Sequence, residues 1–186
     1  MEFVITGPNT YNRQPHWFGN NARYETTTDV KFVDDSTLVV ANRMAAILQL
    51  VEFDISTKSI NIIDTVSLTH LSDKLSIVNG RLRRTKIPEF PDLITIHNNT
   101  VYIASLNNTV TTVQIVNRKF MKPKLIKLND NGSYHGITLH PSNHNILYLS
   151  SALYTPKLVI CDLNTLKTRD VILDGFKNNL FDKQDF

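Results

Sequence analysis

The sequence predicts an all-β fold assembled from repeated four-stranded antiparallel units. Two observations carry this prediction. Short runs in which apolar and polar residues alternate, such as Ile137 with Leu139 and Leu158 with Ile160, are separated by polar turn clusters, which is the periodicity of strands. The same succession of runs also occurs three times along the 186 residues. We therefore expect strands and turns to make up most of the chain.

The clearest copy of the repeat is Tyr134–Asp174, which contains four short apolar runs. Polar turns are predicted at His140–Asn145 and Asp162–Thr165, because proline fixes its φ angle and lacks a donor while asparagine tolerates left-handed backbone. Four antiparallel strands in about 40 residues make one blade of a propeller or one meander of a barrel.

Two weaker copies begin upstream, at Asp29 and Asp92, and the third copy aligns with them from His135. In every copy the second strand precedes a polar turn residue by 16 positions, in the pairs Leu38 and Asp54, Val101 and Asn117, and Ile146 and Asp162. The third copy has two extra residues, and they fall in a turn, where insertions are tolerated. This regularity indicates homologous four-stranded units.

The repeats divide one predicted domain into an arm, three repeats with an insert, and a tail. These segments are residues 1–28 (arm), 29–66 (repeat 1), 67–91 (insert), 92–130 (repeat 2), 131–174 (repeat 3) and 175–186 (tail). The insert contains Asn79-Gly80, the strongest short hairpin signal, so we expect a pair of strands around it. A short helix is the alternative, because Leu68, Leu71 and Leu75 recur at near-helical spacing.

Composition and charge exclude several classes of function. The chain has 20 basic and 17 acidic residues, and this small surplus gives no support to nucleic-acid binding. The single cysteine, Cys161, lies in an apolar strand and is expected to be a small buried residue, so there is no disulfide framework. Neither a leader sequence nor an apolar run of membrane-spanning length is present, and a cytoplasmic protein without membrane contact is expected.

The third copy resembles a known repeat. The run YHGITLHPSNHNILYLSS followed by KLVICDLNTLKTRDVIL is similar to the repeats of YVTN-type and gluconolactonase-like β-propellers, although Asn143-His144 replaces the usual Asp-Gly. The resemblance implies propeller blades. Propellers close with about four to eight blades, and the insert lacks the spacing of the repeat. We therefore expect an incomplete arc, closed by a second copy in a homodimer or by further blades. The alternative is a four-bladed ring, in which the insert and the N-terminal strands make the fourth blade.

The repeat also predicts where a site lies. In an antiparallel blade, the start of the first strand and the end of the second lie at the same end, so six side chains are expected around one end of the central channel: Asp29, Asn42, Arg43, Asp92, Asn107 and His135. Two carboxylates and an imidazole on neighbouring blades form a candidate site for a divalent cation, calcium or zinc, held by Asp29, Asp92 and His135. The alternative is that Asp29 and His135 hydrogen-bond the backbone of the neighbouring blade.

The sequence contains no nucleophile elbow, glycine-rich phosphate loop, His-Glu-x-x-His motif or paired-cysteine metal motif. The leading functional hypothesis is therefore a module that binds a protein or a small molecule. The alternative is a metal-assisted hydrolase or lactonase. The resemblance implies this second form, because gluconolactonase-like propellers use a metal near the channel to polarise a lactone carbonyl and activate water.

Overall fold

The computed structural model describes residues 27–43, 45–69, 72–78, 81–87, 91–105, 109–128, 134–151 and 157–172. The first sheet is antiparallel, with its strands in chain order: β1 (Thr27–Phe32), β2 (Thr37–Asn42), β3 (Ile47–Asp54) and β4 (Ser59–Ser67). Alternation of apolar and polar residues in β1 and the polar turn after it predict this arrangement. Strand β2 is buried almost throughout, because it lies between two neighbours and both of its faces are covered.

A two-stranded hairpin follows the first sheet, formed by β5 (Ser72–Val78) and β6 (Arg81–Ile87). The pair of strands predicted in the insert is confirmed, and the helical alternative for Ser72–Val78 is wrong. The Asn79-Gly80 turn that motivated the prediction lies outside the described residues. The hairpin forms its own sheet and does not extend the neighbouring four-stranded one.

The second sheet has five strands: β7 (Pro91–His97), β8 (Thr100–Ser105), β9 (Thr109–Val116), β10 (Lys119–Phe120) and β11 (Lys124–Lys127). Strands β10 and β11 both pair with β9, at different parts of its length. Pro91 opens β7, a position where its missing N–H does not break a ladder of hydrogen bonds.

The third sheet repeats the four-stranded order with β12 (Tyr134–Leu139), β13 (Ile146–Ser151), β14 (Lys157–Asp162) and β15 (Thr168–Ile172). Gly136 lies where β12 approaches β13 closely, because a Cβ atom there would be 2.3 Å from Ser150 Oγ. The prediction of an all-β chain of three antiparallel blades is confirmed, with no helix among the residues described.

Two apolar cores hold the three sheets side by side. The first core joins the first and second sheets, and its fully buried members include Val39, Leu48, Leu50, Ile94 and Ile103. The second joins the second and third sheets and includes Ala104, Val110, Tyr134, Leu149 and Val159. The inner strands β1, β7 and β12 are neighbours in space, so the sheets succeed one another as blades of a propeller-like arc.

Cys161 is buried in the second core, as predicted, and burial raises the pKa of its thiol. In the described part of the chain, no helix is long and apolar enough to cross a membrane. The polar turn residues also take their predicted roles. Asp54 Oδ1 accepts a hydrogen bond from Ser56 N at 2.8 Å, Asp162 Oδ1 accepts one from Asn164 N at 2.8 Å, and Asn117 has a positive φ of 50°.

The turn at Asp54 predicts a pH dependence of stability. Hydrogen bonds from the side chains of Ser56 and Thr57 and from their backbone lower the pKa of Asp54 from 3.8 to about 2. The folded state therefore favours the ionised carboxylate, which stabilises the fold above pH 3.8 and loses this contribution as the pH falls to about 2. We expect Asp54→Ala to flatten the decline in the free energy of unfolding over this window, measured by urea denaturation.

Asp35→Ala is the matched control for this measurement, because the Asp35 carboxylate is exposed and makes no hydrogen bond within the described residues. It should leave the decline unchanged. Equal slopes for the wild type and Asp54→Ala would contradict the role given to this turn.

Candidate functional site

The three inner strands begin at the same end of the molecule, here called the channel end. Antiparallel pairing places the last residue of each second strand beside the start of the first, in the pairs Thr27 with Asn42, Pro91 with Ser105 and Tyr134 with Ser151. The convergence expected from the sequence follows directly from this pairing.

The same register corrects the alignment of the repeats by one residue. Each inner strand has an irregularity just after its start, and the residues that follow the paired openers are Thr28, Asp92 and His135. Asp29 therefore lies one position beyond the repeated site that the sequence assigned to it. The second strands shift as well, because Leu147, not Ile146, shares the position of Leu38 and Val101.

Asp92 is the centre of the channel end. Its Oδ2 lies 2.7 Å from Nδ1 of His135, and its Oδ1 forms an ion pair with the guanidinium of Arg43. Arg43 follows β2 in the first sheet, Asp92 lies in β7 of the second and His135 lies in β12 of the third. The three side chains, here called the channel-end triad, therefore join all three sheets. Three of the six residues predicted for the site are brought together.

Exposure and charge differ across the triad. The side chain of Asp92 is only 10% exposed, whereas those of Arg43 and His135 are 33% and 39% exposed. An ionised carboxylate accepts hydrogen bonds and cannot donate them, so Nδ1 of His135 carries the proton and points at Asp92. The second ring nitrogen, Nε2, is left without a hydrogen-bond partner among the described residues.

Asp29 has a different environment. Its Oδ2 accepts a hydrogen bond from the backbone N of Ile94 in the second sheet at 2.9 Å, and its Oδ1 contacts Lys31 Nζ at 2.8 Å. The alternative prediction that Asp29 bonds the backbone of the neighbouring blade is confirmed. His135 instead bonds the Asp92 side chain, and within the described residues it makes no hydrogen bond to the backbone of a neighbouring blade.

The two predicted asparagines contribute less. Asn42 is buried, and its Oδ1 accepts a hydrogen bond from Ala45 N at 3.0 Å, which closes the loop after β2. Asn107 lies outside the described residues. In the part of the chain that the structure describes, no three His, Cys, Asp or Glu side chains are grouped closely enough to hold a metal ion. Metal binding by Asp29, Asp92 and His135 stays a prediction.

Two buried polar atoms at the channel end lack partners. Among the residues described, three side-chain atoms are buried without a hydrogen bond: Nε of Arg43, Oγ of Ser151 and, in β9 of the second sheet, Oγ1 of Thr111. Such atoms are rare in folded proteins, because a buried unpaired donor or acceptor costs about 1 to 3 kcal/mol. Arg43 belongs to the triad itself. Ser151 ends β13 and pairs with Tyr134, the residue before His135.

Sequence reasoning placed Ser150-Ser151 at this end, as the end of a second strand, but it missed Thr28 here and a contact at the opposite end. Thr28 Oγ1 donates to the backbone oxygen of Pro91 at 3.3 Å. At the opposite end, the rings of His97 and His144 stack with centroids 3.6 Å apart. The packing of neighbouring blades brings the two rings together. A single sequence does not show which turns of neighbouring blades meet.

Comparison with solved structures supports the fold. The chain is similar to a protein from Lactobacillus plantarum, with 12% identity, a TM-score of 0.54 and coverage of 78% of this chain and 40% of that one. It is also similar to hydrazine synthase from Kuenenia stuttgartiensis, with 15% identity, a TM-score of 0.54 and coverage of 87% and 40%. A Bacteroides fragilis protein provisionally assigned as a 6-phosphogluconolactonase has 13% identity, a TM-score of 0.52 and coverage of 82% and 43%.

Similarity at these identities concerns the fold alone, and it agrees with a β-propeller-like arrangement of the three sheets. The chain spans about two fifths of the length of each of these structures. No protein-family model and no curated protein sequence matches it.

Proposed function

We propose that the chain is a binding module whose ligand site is the channel end, centred on Arg43, Asp92 and His135. The observation that carries this proposal is the coincidence of the triad with two buried, unpaired polar atoms, Arg43 Nε and Ser151 Oγ. Unsatisfied groups in an otherwise bonded cluster are a reservoir of binding free energy, because a ligand recovers the desolvation cost that the free protein bears.

The donors define the class of ligand. Arg43 has a planar set of five N–H donors, of which Asp92 engages only part, and Ser151 can donate through its hydroxyl. The ion pair to Asp92 fixes the guanidinium, so little side-chain freedom remains to be lost on binding. This arrangement suits a ligand rich in oxygen acceptors, such as a carboxylate or a polyhydroxylated compound, presented by a small molecule or by a protein.

D-gluconate is a suitable probe, because it carries one carboxylate and several hydroxyl groups. We expect it to perturb amide NMR resonances of the channel end, at Arg43, Asp92 and Ser151, in a saturable titration. Ser151→Ala should weaken the fitted affinity about tenfold, the loss expected for one buried hydrogen bond to a charged partner. Arg118→Ala, an exposed arginine on another turn, is the control and should leave the affinity unchanged.

Perturbations confined to other surfaces, or equal affinity in wild type and Ser151→Ala, would contradict the proposed site. Unlabelled D-glucose separates the contribution of the carboxylate, because it offers the hydroxyl groups without the charge.

One observation favours a second candidate, a hydrolase or lactonase. The hydrogen bond that His135 Nδ1 donates to Asp92 orients the imidazole, and in the neutral ring it leaves Nε2 with a lone pair, as in a carboxylate-oriented general base. In such a reaction Nε2 would accept a proton from water as the water attacks a lactone carbonyl, and would return that proton to the ring oxygen as the ring C–O bond breaks. The product is a hydroxyl and a carboxylic acid, which releases its proton to solvent as the carboxylate. A divalent cation, calcium or zinc, would polarise the carbonyl.

The test of this candidate is hydrolysis of D-glucono-δ-lactone, with and without added calcium or zinc. The rate is measured as the amount of base needed to hold the pH constant. A hydrolysis rate above that of the buffer alone would support the candidate if His135→Gln abolishes the excess. A rate equal to the buffer rate under every metal condition would reject it and leave the binding module.

A further inference from the structure

An open groove of about 420 Å³, here called the interblade groove, lies where the second sheet meets the third. Strands β8 and β9 supply its floor, with Thr100 paired to Gln114 and Tyr102 paired to Thr112 across the two strands. Val101 alternates with the floor residues of β8 and points to the other side of the sheet, into the first core. The volume of the groove is in the range of known small-molecule sites.

The interblade groove lies away from the channel end. Thr100 is the first residue of β8, whereas Ser105, which pairs with Pro91 at the channel end, is the last. A ligand in the groove would therefore occupy a site separate from the one proposed above. The apolar residues that line the groove are Met121 and Ile126 of the second sheet and Leu163 of the third.

Two lysines line the groove as well. Lys122 and Lys124 are both exposed, and they flank Pro123. Proline fixes its own φ angle and biases the preceding residue toward an extended backbone, on which residues two apart point to the same side. The register of β11 with β9 places Lys124 beside Thr112 of the floor. The local sequence therefore brings two ammonium groups to one groove.

No carboxylate lines the groove among the described residues. Residues 93–129, which include the floor and both lysines, contain five basic residues and no aspartate or glutamate. One of the five, Arg118, pairs with Glu52 of the first sheet. Asp162 precedes Leu163 in the chain, but its Oδ1 accepts hydrogen bonds from two backbone N atoms of its own turn. The potential in the groove is therefore positive, which favours an anionic ligand.

The donors of the groove are available to a ligand. Lys122 and Lys124 make no ion pair within the described part of the chain, and the side chains of Tyr102 and Gln114 make no hydrogen bond there. Burial raises the pKa of the Tyr102 hydroxyl, so this group keeps its proton and can donate. Two cations and two neutral donors therefore face the same space.

From this arrangement we infer that the interblade groove binds the phosphate group of a small phosphomonoester, with Lys122 and Lys124 as its cationic contacts. A phosphomonoester has a charge of about −1.5 to −2 at neutral pH and offers three strong acceptor oxygens. Two ammonium groups match that charge, whereas a monocarboxylate would leave one lysine unmatched. Tyr102 and Gln114 can donate to the oxygens that the lysines leave free. The apolar residues of the groove would contact the organic part of the ligand.

Phenyl phosphate is the probe, because it joins one phosphate monoester to a small apolar ring. In an NMR titration we expect saturable shifts of amide resonances in the groove, at Thr100, Tyr102 and Gln114. Lys122→Ala and Lys124→Ala should each weaken the fitted affinity about tenfold, the loss expected for one charge-assisted hydrogen bond.

Lys127→Ala is the matched control. Lys127 is exposed in the same strand as Lys124, but strand alternation points its side chain to the opposite side of the sheet, and it does not line the groove. This variant removes the same charge and should leave the affinity unchanged. Phenol, which has the ring without the phosphate, should give no saturable shifts over the same concentrations. Circular dichroism checks that every variant is folded.

Three results would each overturn the inference: no saturable shifts in the groove, phenol binding as tightly as phenyl phosphate, or equal losses for Lys124→Ala and Lys127→Ala. Equal losses would mean that the lysines act only as a diffuse charge on an edge strand, where lysine commonly prevents pairing with other chains. The channel-end amides of Arg43 and Asp92 should not respond to phenyl phosphate, and a response confined to them would also overturn the inference.

Discussion

Replacing Leu149 with alanine is expected to lower the free energy of unfolding by about 3 kcal/mol, within the range of 2 to 5 kcal/mol for a fully buried leucine. Leu149 is fully buried in the core between the second and third sheets. The truncation removes buried apolar atoms and leaves a cavity that the rigid strands on both sides cannot collapse to fill. Urea denaturation followed by circular dichroism measures the change.

Leu93→Ala is the matched control, since Leu93 is 37% exposed in the neighbouring inner strand. It should cost less than about 1 kcal/mol, because little apolar area is removed from a site that water already reaches. Equal costs for the two variants would mean that the second core does not hold the third sheet in place.

Replacing Asp92 with alanine is expected to cost about 2 kcal/mol. The carboxylate is mostly buried and bonds two side chains from the other two sheets, and its loss leaves Arg43 and His135 without their shared partner. Breaking a fully buried pair costs about 3 to 5 kcal/mol, and the partial exposure of both partners reduces that figure. Urea denaturation at neutral pH measures the change.

Glu52→Ala is the comparison, because the ion pair of Glu52 with Arg118 also crosses between sheets but both side chains are well exposed. It should cost no more than about 0.5 kcal/mol. If Asp92→Ala is as mild as Glu52→Ala, the triad does not stabilise the junction of the three sheets.

Local chemistry explains why the blades could be predicted. The signals that predicted them act within a few residues. They are the apolar–polar alternation along β12 and β13, the proline and asparagines of the His140–Asn145 turn, and the Asx turn at Asp162. The Asn79-Gly80 signal likewise predicted the pairing of β5 with β6. Such features are set by backbone sterics and nearby hydrogen bonds, so one sequence is enough to identify them.

The register of the repeats could not be predicted to the residue. Each inner strand has a pairing irregularity after its first residue, and in the second sheet this irregularity includes Asp92 and Leu93. An irregularity of this kind changes which residue faces the next blade without altering the apolar pattern. Thr28 therefore takes the position expected for Asp29.

The candidate site was predicted only in part, because strand direction can be predicted from the sequence and side-chain packing between sheets cannot. Strand direction alone brings Arg43, Asp92 and His135 to one end, and they meet there. Strand direction also places Ser151 at this end, but which polar atoms stay unpaired depends on side-chain packing between sheets, which local sequence patterns do not determine.

A double-mutant cycle on Asp92 and His135 tests most directly the claim that blades distant in sequence build one cluster at the channel end. The free energies of unfolding of the wild type, Asp92→Ala, His135→Ala and the double variant give the coupling energy between the two side chains. We expect a coupling of about 1 kcal/mol, because the hydrogen bond spans two sheets in a mostly buried site. Additive effects of the two substitutions, with no coupling, would contradict the account.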